Sequence, residues 1–291
     1  MTRYCAVIGS PIQHSLSPEI HEAFAEQLGI DLVYDRIESS DESFGHTVNK
    51  FFSQGGTGLN VTIPFKELAF SLANQLTGRA KLCGSVNTLF KDEQGLLCGD
   101  TTDGQGLISD LIQRHIAFHD RPVLILGAGG AARSVIPEFL KRNSQLSILN
   151  RTPAKAQKLV DIFETAMSNH TELTGNISVI DPQAFCEAQS ALENEDGPSC
   201  PFHLIINTMP EQGEKYLEML SLTDLNDCHV VDISYGTRAE KFLNWCRRRN
   251  AQSINDGWGM LVEQAALSFE IWHQKNPDTL PVKKQRLKHK K

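Results

Sequence analysis

The chain has 291 residues, 40% of them hydrophobic and 22% charged, with a formal net charge of −7. That is the composition of a water-soluble globular protein long enough for two hydrophobic cores, and its negative charge argues against general nucleic-acid binding. Apolar runs such as VLIL and HLII fall far short of the ~20 residues of a bilayer-spanning helix, and MTRYCAVIGSP lacks the regions of a secretory signal, so a cytoplasmic protein without a membrane partner is expected.

RYCAVIG reads as a strand and SPEIHEAFAEQLG as a helix, with Ser17 able to cap it, Pro18 in its first turn and Gly29 closing it. DLVYDRIE, the helical DESFGHTVNKFFSQ and the strand TGLNVTI follow. In NVTIPFKE the strand stops at Pro64, which suits the first turn of a helix. Its tip offers Asn60, Thr62 and Lys66 either to solvent or to a ligand. FKELAFSLANQL reads as that helix, and SVNTLFKDEQGLLCGD as two strands joined by a turn at residues 92–95. Strand and helix alternating in this way build a mainly parallel sheet covered by helices.

A second α/β unit begins after RHIAFHDR. Its strands are PVLILG, QLSILN, NISVID, HLIINT and HVVDIS, and its first helices are AARSVIPEFLKR and AKAQKLVDIFETAM. AQSALENEDGPSCP reads as an acidic surface loop. GWGMLVEQAALSFEIWHQ reads as an apolar helix burying Met260, Leu261, Ala265, Leu267, Ser268 and Ile271. The end of the chain, VKKQRLKHKK, reads as a solvated basic tail (281–291), with a polyanion contact as the lesser alternative. Seven cysteines without a Cys-x-x-Cys pair read as reduced thiols, and the ten histidines show no metal-binding spacing, so no metal is expected.

VLILGAGGAARS is the sharpest local pattern. A buried strand runs into Gly127-x-Gly129-x-x-Ala132, which opens a helix. Gly127 permits the tight turn, Gly129 lets the backbone approach a pyrophosphate, and the helix N-terminus favours the anion. At the end of the next strand, where a site for the ribose 2′-hydroxyl of NAD carries an acid, SILNRTPAK has Asn150 and Arg151, with Lys155 beyond. Two cations suit a 2′-phosphate, so NADP is the expected cofactor. The strand ends of the first unit carry Ser15, Ser17, Asn60, Thr62, Lys66, Asn87, Thr102 and Asp103. One cation, one anion and many hydrogen-bonding groups suit a small polyhydroxylated substrate. The expected fold class is α/β with two domains. An N-terminal α/β substrate domain with a mainly parallel sheet is joined to a Rossmann-type dinucleotide-binding domain, with a cleft between them.

These blocks together resemble shikimate dehydrogenase. The resemblance runs in order through VIGSPIQHSLSPEIH, GLNVTIPFKE, GSVNTL, GDTTDGQGL, LGAGGAARS, NRT and DGWGMLVEQAALSFEIW, nearly the whole chain. It implies reversible reduction of 3-dehydroshikimate to shikimate with NADPH, on the route to aromatic amino acids. It implies Lys66 and Asp103 as the catalytic pair, Ser15 and Ser17 on the substrate carboxylate, Thr62, Asn87 and Gln264 on ring hydroxyls, and Tyr235 lining the pocket. Gly127, Ala128, Gly129, Gly130, Ala131, Asn150, Arg151, Thr152, Lys155, Ile233 and Gly257 would hold the cofactor. The implied organisation is a substrate domain at 1–104, completed by a C-terminal helical segment at 238–280, and an NADP-binding domain at 105–237, in a monomer or homodimer. Structural readings of the same residues stay open: Ser17 and Asp103 as helix caps, Asn87 bonding its own backbone, Gln264 as an ordinary buried amide. The chain departs from the family pattern at Thr101 (asparagine in GDNTDG), Gly78 (acidic in LTERA), NTMP at 207–210 (NATS) and Lys155 (often arginine). Broader quinate or NAD use is the nearest alternative, and a catalytically silent nucleotide or metabolite sensor is the alternative of another class.

Overall fold

A computed structural model describes residues 2–192, 200–209 and 213–285. Along the chain the elements are β1 (Arg3–Gly9), α1 (Ser17–Leu28), β2 (Leu32–Glu38), α2 (Phe44–Ser53), β3 (Gly58–Val61), α3 (Lys66–Leu72), β4 (Gln75–Leu76), α4 (Gly78–Cys83), β5 (Thr88–Lys91), β6 (Leu97–Asp100) and α5 (Asp103–Gln113). There follow β7 (Pro122–Leu126), α6 (Gly130–Leu140), β8 (Gln145–Leu149), α7 (Pro153–Met167), β9 (Asn176–Val179), α8 (Pro182–Leu192), β10 (Leu204–Asn207), α9 (Gly213–Met219), β11 (His229–Asp232), α10 (Thr237–Arg247), β12 (Ser253–Asn255), α11 (Trp258–His273) and α12 (Thr279–Gln285). The chain divides into two units, Met1–Asp110 with Gly259–Lys291, and Leu111–Trp258.

The first unit holds a six-stranded sheet in the order β2-β1-β3-β5-β6-β4. The apolar run Cys5 to Ile8 makes β1 a central strand buried on both faces, paired in parallel with β2 and β3. Three of the five strand pairings are parallel, as expected, and β5 supplies the two antiparallel ones, because the short turn at residues 92–95 folds β6 back along it and it also runs antiparallel to β3. Phe44, Val48, Phe52, Leu59, Phe65 and Leu89 fill the core on one side. On the other side Trp272 of α11 packs with Cys5, Val7, Ile12 and Tyr34, so the late apolar helix returns to the first sheet. Its buried face includes Met260, Val262, Ala265, Ala266, Ser268, Phe269 and Trp272, while Leu261, Leu267 and Ile271 are only half-buried.

The second unit is a wholly parallel sheet ordered β12-β11-β10-β7-β8-β9. The chain winds outward from β7 in one direction to β9 and in the other to β12. The strand order therefore reverses between β7 and β10, and open α/β sheets bind ligands at the carboxyl ends of the strands flanking such a reversal.

Three expectations change. Residues 238–258 are not part of a helix on the first unit. The side chains of Ala239, Phe242, Trp245 and Cys246 on α10 enter the second unit's core, and β12 pairs with β11. AQSAL, residues 188–192, forms the end of α8, while 193–199 lie outside the described residues. The basic end begins as a helix. Lys283 of α12, 12% exposed, sits between Asp110 at 2.7 Å and Glu263 at 2.8 Å, and two buried carboxylates hold it where composition suggested solvent; 286–291 lie outside the described residues. Among the described residues no helix is long and apolar enough to cross a membrane, and no group of three or more His, Cys, Asp or Glu side chains could hold a metal ion.

Candidate functional site

The first unit gathers its polar strand ends into one cluster. The chain leaves β3 at Val61, turns through Thr62 and the cis Ile63–Pro64 bond, and enters α3 at Lys66. Pro64 thus lies in the turn ahead of the helix rather than in its first turn. Asp103 is the first residue of α5, which follows β6, the antiparallel neighbour of β5. These elements bring the Lys66 Nζ to 2.6 Å from Asp103 Oδ2, with the two side chains 20% and 9% exposed. The other Asp103 oxygen accepts from Asn87 Nδ2 at 2.9 Å, and the same amide meets Gln264 Oε1 at 3.1 Å. Asn87 is oriented without ambiguity, because its Oδ1 accepts the Thr102 backbone N–H at 2.9 Å. Gln264 in turn donates to the Leu261 carbonyl at 2.8 Å. A Cβ on Gly106 of α5 would overlap the Gln264 backbone, so glycine there permits the close packing of α5 on α11 that brings the amide in.

Lys66, Asp103, Asn87 and Gln264 therefore meet; Asn87 bonds to Thr102, Asp103 and Gln264 rather than to its own backbone, and Gln264 is a buried amide tied to Asn87 and to the Leu261 carbonyl. An ammonium held against a carboxylate, beside two amides, can stabilise a developing oxyanion and exchange a proton with it. Thr62 sits at the β3 end, where its methyl would collide with any Cβ on Gly9. Ser15 and Ser17 form a separate polar pair at the start of α1. Ser15 Oγ lies 3.1 Å from Ser17 Oγ and accepts the Ser17 N–H at 3.3 Å, and the Ser15 carbonyl is gripped by Arg36. Ser17 is the first helical residue, not the cap; the cap position is Leu16. Asn60 does not face outward as the strand tip suggested. It is buried, and its amide joins Tyr34, Asn87 and Ser268. Tyr34 and Thr88 escaped the sequence reading, and Ser268 entered it only as part of a buried helix face, because single polar residues within apolar runs carry no periodic signal.

In the second unit, Gly127 follows β7 with φ +107°, a conformation side chains rarely adopt. A Cβ there would also lie 2.5 Å from Thr208 Oγ1, across the strand-order reversal. Gly127→Ala is expected to cost about 1–3 kcal/mol from backbone strain and to weaken nucleotide binding at least tenfold; an unchanged melting temperature and an unchanged Kd would contradict this. Cβ positions on Gly129 and Gly130 meet nothing within 4 Å, and no side chain caps α6. This is room beside a helix N-terminus, as a phosphate needs. Arg151, Thr152 and Lys155 are exposed after β8, and Asn150 Nδ2 donates to the Thr152 carbonyl at 2.9 Å. The residues present fit the phosphates of a dinucleotide.

Ile233 and Tyr235 leave the carboxyl end of β11. Gly257 is required beside them, since a Cβ would overlap the Ile233 carbonyl. Two buried side chains brace these loops. Asp232 accepts from Asn207 Nδ2 at 2.8 Å and from the Ser234 N–H at 2.8 Å, and burial pushes its carboxyl up to about 6. Asn207 Oδ1 accepts the Met209 N–H at 3.1 Å, which shapes the NTM part of NTMP; Pro210 lies outside the described residues. Of the other departures, Thr101 is buried with no partner for its hydroxyl among the described residues. Gly78 opens α4 with space where a Cβ would stand.

Comparison with known families covers both units. The chain matches the shikimate dehydrogenase substrate binding domain over residues 7–89, shikimate / quinate 5-dehydrogenase over 110–182, and the shikimate 5'-dehydrogenase C-terminal domain over 257–285. Among solved structures it is similar to an Ael1 enzyme from Pseudomonas putida, at 34% identity over 97% of each chain with a TM-score of 0.79. It is also similar to shikimate 5-dehydrogenase from Listeria monocytogenes in complex with shikimate and NAD, at 26% identity over 98% of this chain and 96% of that one, TM-score 0.80. A third is shikimate 5-dehydrogenase from Thermus thermophilus in complex with NADP(H) and shikimate, at 25% identity over 97% of each chain, TM-score 0.78. With a lysine–carboxylate cluster in the unit matched by the substrate-binding model and a glycine turn in the unit matched by the dehydrogenase model, the chain belongs to the shikimate/quinate dehydrogenase family.

Proposed function

We propose that this protein is an NADP-dependent oxidoreductase of the cytoplasm that reversibly reduces 3-dehydroshikimate to shikimate, on the route to chorismate and the aromatic amino acids. The observation that carries this reading is the Lys66–Asp103 pair at 2.6 Å with Asn87 and Gln264 beside it. The bound dinucleotide supplies the hydride. Lys66 stabilises the charge that develops on the carbonyl oxygen and delivers a proton to it, and in the oxidative direction it accepts that proton. Asp103 directs the ammonium and accepts a bond from a substrate hydroxyl. Asn87, Thr62 and Gln264 hold the ring hydroxyls, Ser15 and Ser17 take the carboxylate, and Tyr235 lines the pocket.

Gly127 to Ala131, Asn150 to Lys155, Ile233 and Gly257 hold the cofactor. The preference for NADP rests on Arg151 and Lys155, two exposed cations with no ion pair among the described residues and no acid at the end of β8. Replacing both by alanine is expected to raise KM for NADP by about 10- to 100-fold, the loss of two charge-assisted contacts at roughly 1.5–3 kcal/mol in total, and to leave KM for NAD unchanged. The decisive assay follows absorbance at 340 nm with shikimate or quinate and NADP or NAD. Turnover of shikimate with NADP supports the proposal; turnover confined to quinate with NAD overturns both assignments.

A further inference from the structure

Resting on that functional reading, we infer that Asn60 is a positioning residue, which sets the placement of Asn87 against Gln264 and does not itself touch substrate. Asn60 is 6% exposed and lies at the centre of a buried polar column. Its Oδ1 accepts the Tyr34 hydroxyl at 2.7 Å. Its Nδ2 donates to Ser268 Oγ at 3.0 Å and to the Asn87 carbonyl at 3.2 Å. Ser268 sits one turn along α11 from Gln264 and donates to the Gln264 carbonyl at 3.1 Å. One amide thus ties β2, β3, β5 and α11 together at the level where Asn87 and Gln264 meet. An amide is the side chain this needs, since it accepts from one phenol and offers two N–H groups at once; a carboxylate has no donor and an aliphatic residue has neither. The Tyr34 ring is held in turn by His21, stacked at 4.4 Å with planes 16° apart. Partly satisfied buried networks lose their geometry as a unit, and displacements under 1 Å reach turnover before they reach binding.

The test uses Tyr34→Phe and Ser268→Ala, singly and together, in the full chain. Each removes one hydroxyl and keeps the ring or the helix. Each single variant is expected to lower kcat for shikimate oxidation about tenfold with KM within about threefold, and the double variant to be no slower than the slower single one, because both act through the same amide. Melting temperatures track any loss of folded protein. A fall in melting temperature with kcat intact marks a purely structural column and overturns the inference. So does an Asn60→Ala variant that raises KM while Tyr34→Phe is silent, which marks direct substrate contact. Wild-type protein that turns over neither acid with either nucleotide overturns the functional reading and this inference with it, whereas an active wild type with silent variants rejects the inference alone.

Discussion

Replacing Lys66 by methionine is expected to lower kcat by about 100- to 10,000-fold, the range associated with loss of a positioned acid–base group or oxyanion donor. Substrate affinity should stay within about tenfold, or ~1.4 kcal/mol, because the amides and hydroxyls of the cluster remain. Methionine keeps the length of the lysine stem and discards the charge. Asp103 would then keep the Asn87 N–H at 2.9 Å but lose the ammonium at 2.6 Å. The split between kcat and affinity is the informative result, since it separates a group that acts in the transition state from one that holds the ground state. Steady-state rates with a calorimetric Kd for shikimate provide it, and a near-normal kcat would remove Lys66 from the mechanism.

Acid should weaken the first unit well before general carboxylate protonation does so. His21 is fully buried among Tyr34, Phe24, Phe269 and Trp272, and neither ring nitrogen makes a hydrogen bond of good geometry among the described residues. Burial, with His273 nearby, holds its pKa down to about 3 from an ordinary 6.5. Folded and unfolded chains both carry a neutral ring above pH 6.5. Below that the unfolded chain takes up a proton that the folded chain refuses, so stability falls by up to ~1.4 kcal/mol per pH unit until pH nears 3. The loss from this residue is about 3 kcal/mol by pH 4. His273, held down to about 4 chiefly by burial but partly open to solvent, acts in the same direction and less strongly. Urea unfolding at pH 7 and pH 4.5, with His21→Phe as the comparison, checks this. The variant should show a flatter dependence, and equal slopes in the two proteins would refute the assignment.

Alternation and turn chemistry made the elements legible. Gly29 closes α1 in the left-handed region, the turn at residues 92–95 separates β5 from β6, and the Gly127 turn joins β7 to α6 as the glycine spacing required. What stayed hidden depends on distance along the chain. Asn60 looks like a strand tip because every residue of β3 is buried, so alternation cannot say which way it faces. Its partners Tyr34 and Ser268 lie 26 and 208 positions away. Lys283 belongs to a run that reads as solvated, until Asp110, 173 positions earlier, takes its charge. The same holds for the candidate site. Its cofactor turn is a local pattern that spacing alone reveals; strand-end placement groups Lys66, Asn87 and Asp103 without pairing them, and Gln264, on a distant helix, joins them only through the family resemblance.

The two units have different histories during synthesis. Leu111–Trp258 is a continuous stretch of chain, complete once residue 258 has left the ribosome. The other unit is split, with one part translated before that stretch and one part after it. β1 and β3 precede that stretch, yet the Trp272 indole that covers Gly58, and the Lys283 ammonium that neutralises Asp110 and Glu263, are translated only after residue 258. A nascent chain halted near residue 258 would carry a finished nucleotide lobe beside an open apolar sheet, the kind of surface that chaperones hold. Protease resistance along the growing chain should therefore arise in the middle before it arises at the front.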